Sequence, residues 1–253
     1  MPEVRLEGSV FGSLVEAISN VESAFGDRPR VVGGVAVSCR LSVPHRATLD
    51  LDVVRMRSTR DEPALEVLIR ATGGTRVEDI GVIVQTGEGD ARVDVIEIVE
   101  ADDVGGIENE NDRLYLMSHQ WAYETATEVS IVIDGEDGDP ERRVLALVAE
   151  PGPLVAMKLQ ALVTRSRAKE GTDLLDIVRL LTDPATYDSV VVQLAGCDPL
   201  IAHDVGVHAL DPFQNNLART LKLVHDAAGW DVEMDTLKLV GELILGAVSW
   251  SHQ

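Results

Sequence analysis

Positive charge is scarce in this sequence. It has 22 Lys and Arg against 43 Asp and Glu, a formal net charge of −21, and an isoelectric point of about 4.5. A chain of that sign excludes broad, non-specific binding to nucleic acid, which needs a basic surface. It leaves room for one local basic patch, and it suits a cationic small substrate or a basic partner protein. Cysteine is scarce too. Cys39 and Cys197 are the two in the chain. They lie far apart and without metal-ligand spacing, which excludes a disulfide framework and fits plain buried thiols in a reducing compartment. The six histidines are scattered, and no His/Cys cluster suggests zinc. No apolar run approaches the length of a membrane span. The opening MPEVRLEGSVFG has no basic region followed by an apolar block, so no signal peptide and no membrane partner are expected, and the expected location is cytoplasmic. Internal repeats and low-complexity segments are also lacking.

What is present is the composition of a soluble globular protein, 45% hydrophobic and 26% charged. A length of 253 residues allows one large domain or two small ones. Phe11, Leu14, Val15, Ile18, Val21 and Phe25 recur at helical spacing, which predicts an amphipathic helix ending before Gly26. Arg30 to Gly33 reads as a short strand, Val35 to Leu41 as a short helix and Leu49 to Met56 as a strand. Asp61 to Ala71 reads as a helix with Pro63 in its first turn and Gly73-Gly74 as its stop. Ile80 to Gln85 and Ala91 to Val99 form a hairpin around Thr86 to Asp90. Arg113 to Thr125 reads as a helix. Val129 to Ile133 and Arg143 to Val148 read as strands around an acidic turn, Asp134 to Pro140.

From Pro151 the pattern changes to helices: Pro153 to Arg165, Asp173 to Leu181 with Thr172 as its cap, Tyr187 to Leu194, Pro199 to Leu210, Asp211 to Ala228 and Met234 to Trp250. The expected organisation is an N-terminal α/β half to about Glu150 and a C-terminal helical half.

The stretch from Val31 to Val54 carries the chemistry. An apolar run ends in Gly33-Gly34, and the segment closes on Thr48-Leu49-Asp50-Leu51-Asp52. On a strand, residues two apart share a face, so Asp50 and Asp52 project together while Leu49, Leu51 and Val53 enter the core. Two adjacent carboxylates call for a cation, and hard oxygen donors suit Mg²⁺. Gly33 and Gly34 permit unusual backbone angles and close approach of a ligand. A helix starting just after them, around Val35, would present its N–H groups to phosphate. A phosphate cradle beside a metal-binding pair describes a nucleoside triphosphate site.

Further on, Asp94 lies among Val93, Val95, Ile96 and Ile98. A carboxylate there is costly unless it is exposed or paired. The alternation is imperfect, so either Asp94 or Glu97 could face the site. Asp94 is preferred as the third carboxylate, partly on the resemblance described next. In the helical half, Lys158 sits among Leu154, Met157, Leu159 and Leu162, followed by Arg165, Arg167 and Lys169 and then Asp173 and Asp176. This is the densest basic cluster in the chain. Lys158 and its neighbours would bind a triphosphate or an acceptor phosphate. Asp173 would either orient Lys158 or act as a base toward an incoming hydroxyl.

These residues resemble the nucleotidyltransferase superfamily, most closely the AbiEii/AbiGii toxin-like nucleotidyltransferases of bacteria. The superfamily pattern of paired small residues, a spacer and acidic–apolar–acidic is matched by Gly33-Gly34 and Asp50-Leu51-Asp52. The subgroup's His-Arg and Ser or Thr before the carboxylates are matched by His45, Arg46 and Thr48. Its Lys helix, basic segment and Asp-apolar-apolar-Asp are matched by Lys158, Lys169, Asp173 and Asp176. The spacer from Gly34 to Asp50 is longer than is usual for the superfamily. Thr172 stands where the subgroup often has Arg or Lys.

The resemblance implies an α+β fold. A nucleotidyltransferase-type mixed sheet with flanking helices would span 1–150, and a helical domain over 151–253 would complete the active-site cleft. It implies an enzyme that transfers a nucleoside monophosphate from an NTP to an acceptor hydroxyl and releases pyrophosphate. One or two Mg²⁺ ions would bind Asp50, Asp52 and Asp94. Gly33, Gly34, Arg46, Thr48 and Lys158 would contact nucleotide or phosphate, and Asp50, Asp52, Asp94, Lys158 and Asp173 would carry catalysis. The implied acceptor is tRNA, with an antitoxin protein opposing the activity. A small-molecule acceptor, such as an aminoglycoside-like antibiotic, and a non-catalytic nucleotide-binding relative are the alternatives.

Overall fold

A computed structural model describes residues 2–6, 9–58, 61–99, 106–133 and 141–249. Alternating and apolar runs in the first 150 residues form eight strands: β1 (Glu3–Leu6), β2 (Arg30–Val32), β3 (Asp50–Arg57), β4 (Thr75–Val77), β5 (Gly81–Thr86), β6 (Gly89–Val99), β7 (Thr127–Ile133) and β8 (Arg142–Val148). They make one mixed sheet in the order β1-β7-β8-β2-β3-β6-β5-β4. Helices α1 (Ser9–Phe25), α2 (Gly33–Arg40), α3 (Ala64–Thr72) and α4 (Glu110–Thr125) interrupt them. Helix α1 buries Phe11, Leu14, Ile18 and Val21 and packs on β3, β5, β6 and β8 and against α3. Its apolar stripe is matched by the alternating Leu51, Val53, Val93 and Val95, all buried.

The rest of the chain is helical: α5 (Pro151–Ala161), α6 (Arg167–Thr182), α7 (Tyr187–Ala195), α8 (Pro199–Leu210), a π-helical turn (Asp211–Asn215), α9 (Leu217–Asp226) and α10 (Met234–Ser249). Every residue of α5 from Pro151 to Gln160 is buried, as expected of a helix that is apolar apart from Lys158 and Gln160. Helices α6, α7 and α8 pack around it, and α10 packs on α6, α7, α8 and α9.

The chain divides into two compact units. One comprises Met1–Cys39, Val43–Ala101 and Ala122–Glu150; the other comprises Arg40–Ser42, Asp102–Trp121 and Pro151–Gln253. The second unit therefore takes most of α4 in addition to the C-terminal helices. Among the described residues no helix is long and apolar enough to cross a membrane.

Several elements differ from the sequence expectation. The edge strands β1 and β4 were not foreseen, being short and without apolar alternation. Leu49 is not in the core: β3 begins one residue later, and Leu49 is 78% exposed. Pro63 stands just before α3, not inside its first turn, with φ −53° and ψ 131°. The foreseen stop at Gly73 holds, with φ +69° and its N–H donated to the Ile69 carbonyl. Thr172 does not cap α6. That helix begins at Arg167, and the Thr172 hydroxyl donates to the Ala168 carbonyl, 3.2 Å away. Gly171 invites reading as a loop residue, yet it is buried inside α6. A Cβ on it would lie 2.5 Å from the Leu223 carbonyl, so the glycine admits α9. The expected long helix over 211–228 is broken at Asn216 into the π-helical turn and α9. The acidic turn 134–140 and the start of the segment 102–112 lie outside the described residues.

Candidate active site

The short turn after β2 is built around Gly33. The residue has φ +63°, a conformation that L side chains rarely adopt. A Cβ on it would lie 1.9 Å from Asp52 Oδ2. Glycine is thus required twice here, for the backbone and for the carboxylate resting against it. Helix α2 starts at Gly33 itself, two residues earlier than expected, so its first N–H groups lie beside Asp52. Gly34 is buried, and a Cβ there would approach Thr48 Oγ1 at 2.8 Å and an Arg46 guanidinium nitrogen at 3.1 Å. Thr48 is buried and donates its hydroxyl to Asp50 Oδ1 at 3.1 Å. Arg46 donates to the Ala47 carbonyl at 3.3 Å.

Strands β3 and β6 are parallel neighbours whose register sets Asp52 opposite Asp94 and Asp50 opposite Arg92. Asp50, Asp52 and Asp94 therefore share one face of the sheet, and each offers a carboxylate oxygen within 4.8 Å of the others. Glu97 has the opposite parity on β6. It accepts from the Ala64 N–H at 2.9 Å and lies 3.3 Å from Arg57 Nε, which places it at the start of α3 and away from the carboxylate face. Asp94 is thus the third carboxylate that this geometry brings in.

Two residues of the cluster escaped sequence reading. Arg92 holds Asp94 with a forked pair of hydrogen bonds, Nε to Oδ1 at 2.8 Å and Nη2 to Oδ2 at 3.1 Å. Its Nη2 also reaches Glu78 at 2.8 Å. The hydrogen bond to Asp94, followed by that to Glu78, raises the Arg92 pKa still further above its ordinary value. Gly81 pairs with Asp94 across β5 and β6, and a Cβ there would lie 2.7 Å from Asp94 Oδ1. Arg92 stands two positions before Asp94, which is a legible signal. Gly81 becomes visible only through strand register.

Lys158 and Asp173 belong to the second unit. Lys158 Nζ lies 2.5 Å from Asp173 Oδ1 and 2.7 Å from Asp176 Oδ2. Arg165 Nε lies 3.3 Å from Asp173 Oδ2. Lys158, Asp173 and Asp176 are buried. Arg165, Arg167 and Lys169 are exposed. Nearby on α4, His119 donates from Nδ1 to the Tyr115 carbonyl, 2.6 Å away. Burial, aided by the charge of Arg165 and opposed by the hydrogen bond to Tyr115, pushes its pKa down to about 4.

The family model described as nucleotidyl transferase AbiEii toxin, type IV TA system, matches residues 16–243. A solved structure of an antigenic nucleotidyltransferase-like protein from Paracoccidioides brasiliensis is 16% identical, with a TM-score of 0.45 over 84% of this chain and 93% of that one. No curated protein matches.

Proposed function

The chain belongs to the AbiEii family of nucleotidyl transferase toxins of type IV toxin–antitoxin systems, and from that premise we propose that Asp50, Asp52 and Asp94 hold a divalent cation for transfer of a nucleoside monophosphate to an acceptor hydroxyl. The observation that carries this reading is the meeting of the three carboxylates on adjacent strands. The donor set fits a hard cation: three carboxylate oxygens with no nitrogen or sulfur among them suit Mg²⁺, as one or two ions. When bound, such an ion offsets charge on the phosphates and polarises a phosphoryl oxygen.

The chain's own groups supply the remainder. The N–H groups at the start of α2 hold β- and γ-phosphate oxygens, with Gly33 and Gly34 giving the close approach. Thr48 fixes the Asp50 carboxylate, and Arg46 counters charge on the triphosphate. The acceptor oxygen attacks the α-phosphorus, its proton passes to the Asp94 carboxylate, the bond to the β-phosphate oxygen breaks and pyrophosphate leaves. In the second unit, the ion pair of Lys158 with Asp173 supports an orienting role for that carboxylate.

We assign tRNA as the acceptor, contacted through the exposed Arg165, Arg167 and Lys169, with an antitoxin protein opposing the activity in keeping with the family. A cationic small-molecule acceptor is the second reading, favoured by the net charge of −21. A labelling assay tests both. The protein is incubated with each α-labelled nucleoside triphosphate, Mg²⁺ and total tRNA, beside an Asp50→Ala/Asp52→Ala variant. Label on tRNA that falls by roughly a thousandfold or more in the variant is the expected result, since the electrostatic machinery of the transfer is then removed. An unlabelled tRNA pool, with Mg²⁺ and nucleotide still bound, overturns the tRNA assignment and moves the search to aminoglycoside-like acceptors.

A further inference from the structure

Three carboxylates converging on one face repel one another, and Arg92 brings a positive charge against one of them, Asp94. Arg92 lies beside Asp50 in the β3–β6 register and grips both oxygens of Asp94 at 2.8 and 3.1 Å. Its outer nitrogen is tied to Glu78, 2.8 Å away, on the turn between β4 and β5. The guanidinium is held from both sides, and its side chain is 26% exposed against 9% for Asp94. An arginine cannot release its charge by deprotonation. Its positive charge is therefore a permanent part of the site.

We infer that Arg92 is a built-in counter-cation, which holds the triad together before metal arrives and keeps the metal affinity of the free protein low. The inference rests on the reading of the triad as a metal site. Arg92 offsets part of the triad's negative charge and shares the rest of its own charge with Glu78. An incoming cation must share Asp94 with the guanidinium and is repelled by it. A triphosphate brings its own negative charge and oxygen ligands, so tight metal binding comes with the nucleotide. Arg92 is in this sense a positioning residue, acting through Asp94 and through the field it sets.

The test is a Mn²⁺ titration of the full chain without nucleotide, read from the electron paramagnetic resonance signal of free Mn²⁺. Wild type, Arg92→Gln, Arg92→Lys and Asp52→Asn are compared, with thermal melting as the check on folding. Arg92→Gln should bind Mn²⁺ about tenfold tighter or more, because a repelling unit charge next to the ion is gone. Arg92→Lys keeps the charge and should stay close to wild type. Folded Arg92→Gln that binds no tighter than wild type overturns the inference. So does folded Arg92→Lys that binds about tenfold more weakly, which would mean that the fork geometry, and not the charge, governs the site. The Asp52→Asn protein separates the two levels. If it binds Mn²⁺ as wild type does, with and without a non-hydrolysable triphosphate, the metal reading falls and takes this inference with it. If binding needs Asp52 yet ignores Arg92→Gln, the Arg92 inference alone is refuted.

Discussion

In the first unit, three carboxylates converge on one face of a sheet, with the Arg92 guanidinium on Asp94. In the second, two carboxylates meet an ammonium and a guanidinium between helices. The first cluster is left with excess negative charge, and Asp50 and Asp52 remain partly exposed. The second is neutral within itself, and Asp176 is fully buried. The difference follows from how each is assembled. Parallel strands in register place like residues side by side, so Asp52 and Asp94 are forced together whatever their charge. On α6, Asp173 and Asp176 are three apart and share a helix face, where the otherwise apolar α5 delivers Lys158. Buried charges persist only when compensated. Excess charge persists at a partly exposed site that a ligand cation can complete. The first arrangement suits the cation site proposed above, and the second suits a framework that fixes Lys158.

The largest effect expected from this contrast is on stability. Lys158→Ala strands two buried carboxylates and should cost about 3–5 kcal/mol, the range for breaking a buried ion pair. Asp50→Asn, in metal-free protein, relieves repulsion and should cost less than about 0.5 kcal/mol, the usual bound for substitutions that disturb no compensated group. Denaturant unfolding of both variants in the presence of chelator measures this, and equal losses would break the comparison.

A second, smaller effect concerns pH. His119 is held neutral in the folded second unit down to about pH 4, below its ordinary 6.5. As pH falls, the unfolded chain takes up the proton first. The contribution of this group is therefore complete above the ordinary value and is lost as pH drops toward the folded one. The loss should reach roughly 2–3 kcal/mol between pH 7 and 4. His119→Gln should remove that part of the slope in pH-dependent unfolding, and an unchanged slope would assign the acid sensitivity to the carboxylates instead.

The smallest effect sharpens the description of the first unit. Gly33 and Gly26 both have positive φ, +63° and +74°, but only at Gly33 would a Cβ meet Asp52; at Gly26 nothing lies within 4 Å. Alanine at either position should cost about 1 kcal/mol for the backbone. Gly33→Ala should in addition lose nucleotidyl transfer in the labelling assay, while Gly26→Ala retains it. Loss of activity in both would tie the defect to folding instead of to Asp52.

Much of the first unit could be read in advance, because local periodicity carries it. The alternation of Asp50, Leu51, Asp52 and Val53 shows that the two carboxylates share a face, and the hairpin around Gly87 is written in its flanking strands. Amphipathic spacing predicts α1, which runs Ser9–Phe25. What was misread lies where a distant residue overrides the local signal. The start of α6 was placed at Asp173 with Thr172 as its cap, but the helix already includes Gly171, which packs against Leu223 in α9. Leu49 looked like a core residue because it is in phase with Leu51, but it precedes the strand and has no sheet to enter.

The sequence by itself determined which residues are candidates for the chemistry and which face of its own strand or helix each one takes, since both follow from residue type and from periods of two and 3.6. Only the tertiary structure decided that Asp94 and not Glu97 joins Asp50 and Asp52, that Arg92 stands among them, and that Gly81 makes room. Each of these depends on the register of β6 against β3 and β5. Register is a relation between strands, set by packing a whole apolar face at once, and no single segment contains it.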